Sequence, residues 1–228
     1  MRQASGILLA IDTSTRMVSL ALYDGVQVLS ESSWTSTDYH TVELAPAVAE
    51  AFGKANLTAN DLDVLAVALG PGSFTGLRIG MALAKGLALA RHLPMIGVPT
   101  LDILVAAQHI GRTQLAAVLR AGRGRLAVGW YQPQNESWEM IRKIEVYTPE
   151  ELAERITQPT VICGELNEAE REFLGQNKPE IKLAHPAQSL RRAGFLAELA
   201  WKRWKAGQSD DPASLSPIYL HYNDPIPG

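Results

Sequence analysis

Apolar residues come in short runs whose spacing switches between two periods along the chain. Ile7–Asp12 is an apolar run that stops at a polar turn, Asp12-Thr13-Ser14-Thr15. Met17–Tyr23 is rich in strand formers, and Asp24-Gly25 separates it from Val26–Leu29. Asp-Gly between two such runs predicts a hairpin, so the chain is expected to open with three strands. Val42, Leu44, Ala45, Val48, Ala51 and Phe52 then recur at helical spacing, and Gly53 ends that helix. Val64–Leu69 is unbroken and apolar, the pattern of a strand buried on both faces. After the turn Gly70-Pro71-Gly72 a long helix is predicted to about Arg91, followed by a buried strand at Met95–Val98. Thr100 is placed to cap a further helix reaching about His109.

The second half repeats this order. Leu115–Leu119, Ala127–Gln132 and Trp138–Val146 predict three strands. Thr148-Pro149-Glu150-Glu151 is a helix start, with a cap, a proline in the first turn and acids beside it. Strand Val161–Cys163, helix Glu168–Leu174, strand Ile181–Ala184 and helix Leu190–Lys205 follow, and a proline-rich polar tail begins at Gly207. The topology βββαβα is thus duplicated although no residue-level repeat is visible. The prediction is an α/β fold of two similar lobes, residues 1–104 and 105–228, built as actin-like ATPases are built.

Composition narrows the classes. Of 228 residues 46% are hydrophobic, which excludes a disordered chain and a disulfide-stapled miniprotein. A net charge of -3 and a pI of about 6.0 give no general pull toward nucleic acid or anionic lipid. The single cysteine, Cys163, can form neither an intramolecular disulfide nor a cysteine-rich zinc site, and this usage fits a reducing cytosol. The first apolar run is too short for a secretory core, and no window approaches the ~20 apolar residues of a membrane span. The expectation is a soluble cytoplasmic protein with no membrane partner.

Several segments carry candidate chemistry. Gly70-Pro71-Gly72-Ser73-Phe74-Thr75-Gly76-Leu77-Arg78-Ile79-Gly80 follows a strand and opens a helix, as a phosphate loop would. It fails the Walker pattern, because Gly72 and Gly76 are too close and Leu77-Arg78 follows. It fails the dinucleotide pattern, because Thr75 stands at the third glycine. Gly76, Gly80, Ala84 and Ala88 instead form one smooth helical ridge. Such a ridge admits a close neighbour, either within the chain or across a subunit interface. The turn Asp12–Thr15 lies where actin-like ATPases grip phosphate and hydrated magnesium; the same string also makes an ordinary capped turn. The histidines (40, 92, 109, 185 and 221) include no pair at metal-binding helical spacing. Cys163 is expected to be a core thiol, and His40 with Glu43 a solvated helix face. Arg120, Arg123 and Arg125 are expected in a loop between two strands, solvated or touching RNA phosphates.

Four strings together point to a family. Ile11-Asp12-Thr13-Ser14-Thr15, the run 70–80, Ala84-Lys85-Gly86-Leu87-Ala88 and the closing Pro217-Ile218-Tyr219-Leu220 resemble the TsaB (YeaZ) family of bacterial tRNA threonylcarbamoyladenosine biosynthesis proteins, also described as glycoprotease-like or M22 peptidase-like. The resemblance is dense over residues 7–104 and looser beyond. It implies an actin-like, two-lobed (ASKHA) fold and a part in placing a threonylcarbamoyl group next to the anticodon of tRNAs reading codons that start with A. The catalyst it implies is the sister protein TsaD, which binds a metal through a His-x-Glu-x-His-like stretch. Here Thr100 and Leu104 stand at the two histidine positions and leave only Asp102, so neither a transferase nor a metalloprotease is expected. Arg120-Ala121-Gly122-Arg123 stands where relatives carry an Asp-Ala-Arg-like string, which places ATP and magnesium binding at Asp12, Thr13, Ser14 and Thr15 as vestigial.

The resemblance further implies a non-catalytic partner of TsaD, with TsaE docking on the pair, tRNA reached through the complex, and a homodimer when alone. His40, Glu43, Leu44, Ala47, Gly76, Leu77, Gly80, Met81 and Ala84 are the interface residues so implied. The competing readings are a metal-independent peptidase and an actin-like ATPase. A self-contained RNA-binding module lacks the interleaved aromatic and basic residues it would need.

Overall fold

A computed structural model describes residues 6–36 and 40–220, with the side chain of His40 outside that description. The first half forms a five-stranded sheet from β1 (Leu8–Asp12), β2 (Met17–Tyr23), β3 (Val28–Thr35), β4 (Val64–Ala68) and β5 (Met95–Val98). Their spatial order is β3-β2-β1-β4-β5, with β1, β4 and β5 parallel and the β1–β2–β3 meander antiparallel. Helices α1 (His40–Lys54), α2 (Phe74–Arg91) and α3 (Thr100–Ala106) complete this half.

The second half repeats the plan. Strands β6 (Gln114–Gly122), β7 (Arg125–Gln134), β8 (Ser137–Met140), β10 (Thr160–Gly164) and β11 (Ile181–Leu183) lie in the order β8-β7-β6-β10-β11, the mirror of β3-β2-β1-β4-β5 in role. The third predicted strand of this half is two: β8 pairs with one end of β7, and β9 (Glu145–Tyr147) pairs with the other, across Leu126–Val128. Helices α4 (Pro149–Arg155), α5 (Glu168–Asn177) and α6 (Ala193–Lys205) follow. Thr148 starts α4 with a reciprocal capping box to Glu151, as the sequence signals.

The unbroken apolar strands reflect burial on both faces. Leu9, Ile11, Leu65 and Val67 point toward α1 and α2, where Leu44, Val48, Phe52, Met81 and Ala84 meet them. Their neighbours Leu8, Ala10, Val64 and Ala66 point the other way, against Leu196, Ala197, Ala200 and Trp201 of α6. In the second sheet Ala116 and Val118 face α4 and α5, while Leu115, Ala117 and Leu119 face Leu101, Leu104 and Val105 of α3.

The lobes therefore exchange their last helices. The end of the first half, α3, lies on the second sheet; the end of the second half, α6, lies on the first. The chain after α6 also stays on the first lobe. Asp210 N–H donates to the Met95 carbonyl over 2.8 Å, and Ile218 N–H to the Leu69 carbonyl over 2.7 Å. A division of the chain at residue 104 does not coincide with the lobes, because each sheet leaves one apolar face that only the other half's helix covers. Two smaller expectations also change. Thr100 is the first residue of α3 rather than its cap, and its hydroxyl accepts from Gly70 N–H at 2.9 Å. Leu190 and Arg192 are extended, so α6 starts three residues later than predicted.

Candidate functional site

The strings that stood out in the sequence converge on one place. The turn after β1 is buried, with Asp12 and Ser14 fully inaccessible and Thr13 nearly so. The glycine loop 70–76 lies directly on it. Ser73 N–H donates to the Ser14 carbonyl over 2.6 Å, and Thr13 Oγ1 donates to the Gly76 carbonyl over 2.7 Å. A Cβ at Gly72 would sit 2.1 Å from the Ser14 carbonyl oxygen, and one at Gly80 would sit 2.2 Å from Thr13 Oγ1. These glycines accommodate the chain's own turn. At Gly70, with φ of +112°, a Cβ would meet the Ile218 carbonyl oxygen at 2.4 Å, so the closing string is the third party to the same contact. Tyr219 then packs on Phe74, and Arg78 Nε donates to its hydroxyl over 3.0 Å.

The charge at the centre of the site is Arg191. Its guanidinium is buried between the lobes, with Nε donating to Asp12 Oδ2 over 3.0 Å and Nη1 to Glu165 Oε1 over 2.7 Å. Its other amino group donates to Thr15 Oγ1. Asp12 Oδ1 accepts from the backbone N–H of Ser14 at 2.8 Å and from its hydroxyl. Thr15 Oγ1 donates to Glu165 Oε1 over 2.6 Å. One cation thus serves carboxylates from both lobes. Burial alone would raise the Glu165 carboxyl, but the Arg191 guanidinium and the Thr15 and Arg191 hydrogen bonds outweigh it and hold it below the usual range. Burial likewise works against the Arg191 charge, and Asp12 and Glu165 overcome it.

This geometry does not fit a hydrated magnesium ion oriented by Asp12. Both carboxylate oxygens are taken by the chain's own donors, and a guanidinium stands where the ion's charge would be needed. Above this floor an open cleft of about 650 Å³ separates the lobes, lined by Arg16, Gly72, Ser73, Arg120 and Asn167 among others. Arg120 pairs with Glu170 at 3.1 Å. Neither Arg191 nor Glu165 was singled out by the sequence. Both sit in ordinary-looking polar stretches, and only the return of the chain to the first lobe brings them to Asp12.

Comparison with known proteins fits this architecture. The family described as TsaD, tRNA N6-adenosine threonylcarbamoyltransferase, matches residues 27–190. The TsaB protein of Buchnera aphidicola is 33% identical over 152 residues, 62% of this chain and 72% of its own. The chain belongs to the TsaB (YeaZ) family. The TsaB of Escherichia coli is 36% identical over 154 residues, 66% of each chain, so the match spans just under two thirds of that relative's length. YeaZ from Pseudomonas aeruginosa superposes with a TM-score of 0.77 at 27% identity, covering 94% of this chain and 100% of that one. The activator of 2-hydroxyisocaproyl-CoA dehydratase from Clostridium difficile shares the fold at 9% identity and a TM-score of 0.54. The chain is therefore an actin-like α/β protein with two lobes.

The remaining expected sites fall as follows. The two positions at which the resemblance implies histidines in TsaD are core here: Thr100 and Leu104 are inaccessible, and Leu104 packs beside Gly164 under the second sheet. Asp102 is not between them but on the opposite side of α3, where it accepts from the Tyr131 hydroxyl at 2.7 Å. Among the described residues no three His, Cys, Asp or Glu side chains come together in a metal-holding group. Cys163 is fully buried, and that burial pushes its thiol far up. No helix among the described residues is long and apolar enough to cross a membrane.

Six of the nine expected interface residues are internal. Gly76, Leu77, Gly80, Met81 and Ala84 are buried against β1 and β4 within this chain, as is Leu44 on α1. The smooth ridge serves the internal neighbour. Ala47 and Glu43 are half-buried, Glu43 accepting from Trp34 Nε1 at 3.0 Å, and the side chain of His40 lies outside the described residues. Exposed small and apolar positions of α1 and α2 include a different set: Val42, Ala45, Ala82, Gly86 and Leu89, with Val42 and Leu89 68% and 69% exposed.

Proposed function

We propose that this protein acts in tRNA threonylcarbamoyladenosine biosynthesis as a non-catalytic subunit that supports TsaD on tRNAs reading codons that start with A. The family supports the pathway, since the curated relatives are tRNA threonylcarbamoyladenosine biosynthesis proteins. The observation that carries the non-catalytic part is the Arg191 ion pair. A buried guanidinium satisfies Asp12, the carboxylate that an actin-like ATPase would keep for its metal. The two positions that would hold the transferase's metal are a satisfied threonine and a core leucine. In this reading the isolated chain has no nucleotide or metal cofactor.

Support for TsaD then comes through a surface, and its mechanism is differential binding: the partner's competent state is the one this chain binds better. The exposed apolar face of α1 and α2 is the surface we assign to TsaD, and to a second copy of the chain when TsaD is absent. It has the small and apolar side chains that let helices approach closely. TsaE docks on the assembled pair, and tRNA is met by the complex rather than by this chain alone.

The test is threonylcarbamoyl incorporation into tRNA with the cognate TsaD, TsaE and the enzyme supplying the carbamoyl-adenylate, with this chain present or left out. The expected result is modification that requires the chain and drops about tenfold or more with Leu89→Asp, a surface change that leaves the circular dichroism spectrum intact. Equal modification without the chain would overturn the proposal. Calorimetry with ATP and magnesium should show no tight binding to the isolated protein.

A further inference from the structure

Away from the Arg191 site, one half-buried carboxylate has no cation. Asp102 Oδ1 accepts from Tyr131, but among the described residues no donor reaches its second oxygen and no ion pair neutralises it. Asp12, Glu165 and Glu170, by contrast, are each matched by a guanidinium. A carboxylate partly withdrawn from water without a counter-charge favours a cation beside it. Burial accordingly raises the Asp102 carboxyl, and the Tyr131 hydrogen bond offsets this only in part.

The position opens to solvent on two sides. A cleft of about 530 Å³ runs between Pro99 and the β7–β8 hairpin, past Asn135 and Glu139. A second, of about 260 Å³, runs between the same hairpin and α6, past Glu136 and Glu198. Asp102, Tyr131, Ser137 and Trp138 line both. Neither shares a residue with the cleft above Arg191. The Trp138 indole N–H is directed at the Gln108 carbonyl 3.4 Å away, which orients the ring between the two openings. The one basic residue in the lining, Lys202, makes no ion pair with Asp102.

We propose that this seam binds an organic cation, an alkylamine or alkylguanidine whose charged head pairs with Asp102 and whose stem lies along Trp138. A cation satisfies the unpartnered oxygen, and an aromatic ring beside it adds cation–π attraction. The surrounding carboxylates Glu136, Glu139 and Glu198 favour the same sign of ligand and disfavour an anion. The site is independent of the TsaD-supporting role and stands or falls without it.

Putrescine and agmatine serve as probes, with 1,4-butanediol as the uncharged counterpart of putrescine. The full chain is titrated with each while the Trp138 indole N–H is followed by NMR, its signal assigned by its loss in Trp138→Phe. Saturable shifts are expected with both cations and none with the diol. Asp102→Asn keeps an acceptor for Tyr131 but removes the charge, and should weaken cation binding about tenfold or more. The proposal is overturned if the cations leave the signal unmoved at millimolar concentration, or if Asp102→Asn binds them as well as the wild type. Should that variant fail to fold, the wild-type comparison decides, and an equal response to putrescine and butanediol overturns the site.

Discussion

Arg191 does more than any other side chain to define the site, and removing it leaves charge behind. Two carboxylates converge on its guanidinium in a place where Asp12 has no access to water. Breaking a buried pair from one side costs about 3–5 kcal/mol, because the orphaned charge must be carried or neutralised. Arg191→Met should therefore lower the unfolding free energy by that amount in urea titration, and adding Asp12→Asn should recover part of it. A loss below about 1 kcal/mol for the single variant would show that the pair is not the keystone described. Glu165 adds a pH signature. Its folded carboxyl lies below the ordinary value of about 4.3. The stabilisation it contributes is thus complete above that value and is lost as pH falls through the folded one. Melting temperature followed from neutral pH down to about pH 3 should decline on this acid limb, and Glu165→Gln should flatten it. The Asp12 turn was legible in the sequence, but its pairing with Arg191 and Glu165 was not. An arginine in Leu190-Arg191-Arg192 carries no local signal, since its meaning comes from partners 179 and 26 residues away.

Helices read better than their partners do. The ridge of Gly76, Gly80, Ala84 and Ala88 was visible from spacing alone, and so was the strand–turn–helix unit that carries it. Periodicity names the face of a helix but not what lies against it, and the ridge turned out to meet β1 and the Asp12 turn. Two glycines of α2 make that distinction measurable. A Cβ at Gly80 would sit 2.2 Å from Thr13 Oγ1, a buried group already committed to Gly76, whereas one at Gly86 meets nothing within 4 Å. Gly86→Ala should stabilise the protein by about 0.5–1 kcal/mol through helix propensity. Gly80→Ala should destabilise it by about 1–3 kcal/mol through overpacking. Chemical denaturation of the two variants checks both signs, and shifts in the same direction would mean that α2 does not pack as described.

Across the whole molecule, the duplicated order of elements was readable, but the lobes it generates are not halves of the chain. Three hairpin strands followed by alternating helices and strands fix the order β3-β2-β1-β4-β5 twice, because each parallel crossover needs a covering helix. Which half supplies the last cover cannot be read from local pattern, since α3 and α6 are amphipathic in either place. The structure crosses them. Leu8, Ala10, Ala21, Val64, Ala66 and Ile96 pack on Leu196, Ala197, Ala200 and Trp201 of α6. Ala193 N–H donates to Ser19 Oγ over 2.8 Å, and Gly194 N–H to Glu31 Oε1 over 2.8 Å, so the start of that helix is fastened to the β2–β3 meander as well. A fragment of residues 1–104 would therefore present one whole face of its sheet to water and should not fold by itself, however complete it looks in sequence. It should give no cooperative thermal transition and should bind a dye specific for exposed apolar surface. A peptide spanning residues 190–220, added in trans, should restore both the transition and a dispersed NMR spectrum. If the fragment instead folds cooperatively alone, α6 is an accessory to the first lobe, and the exchange of helices does not hold the two lobes together.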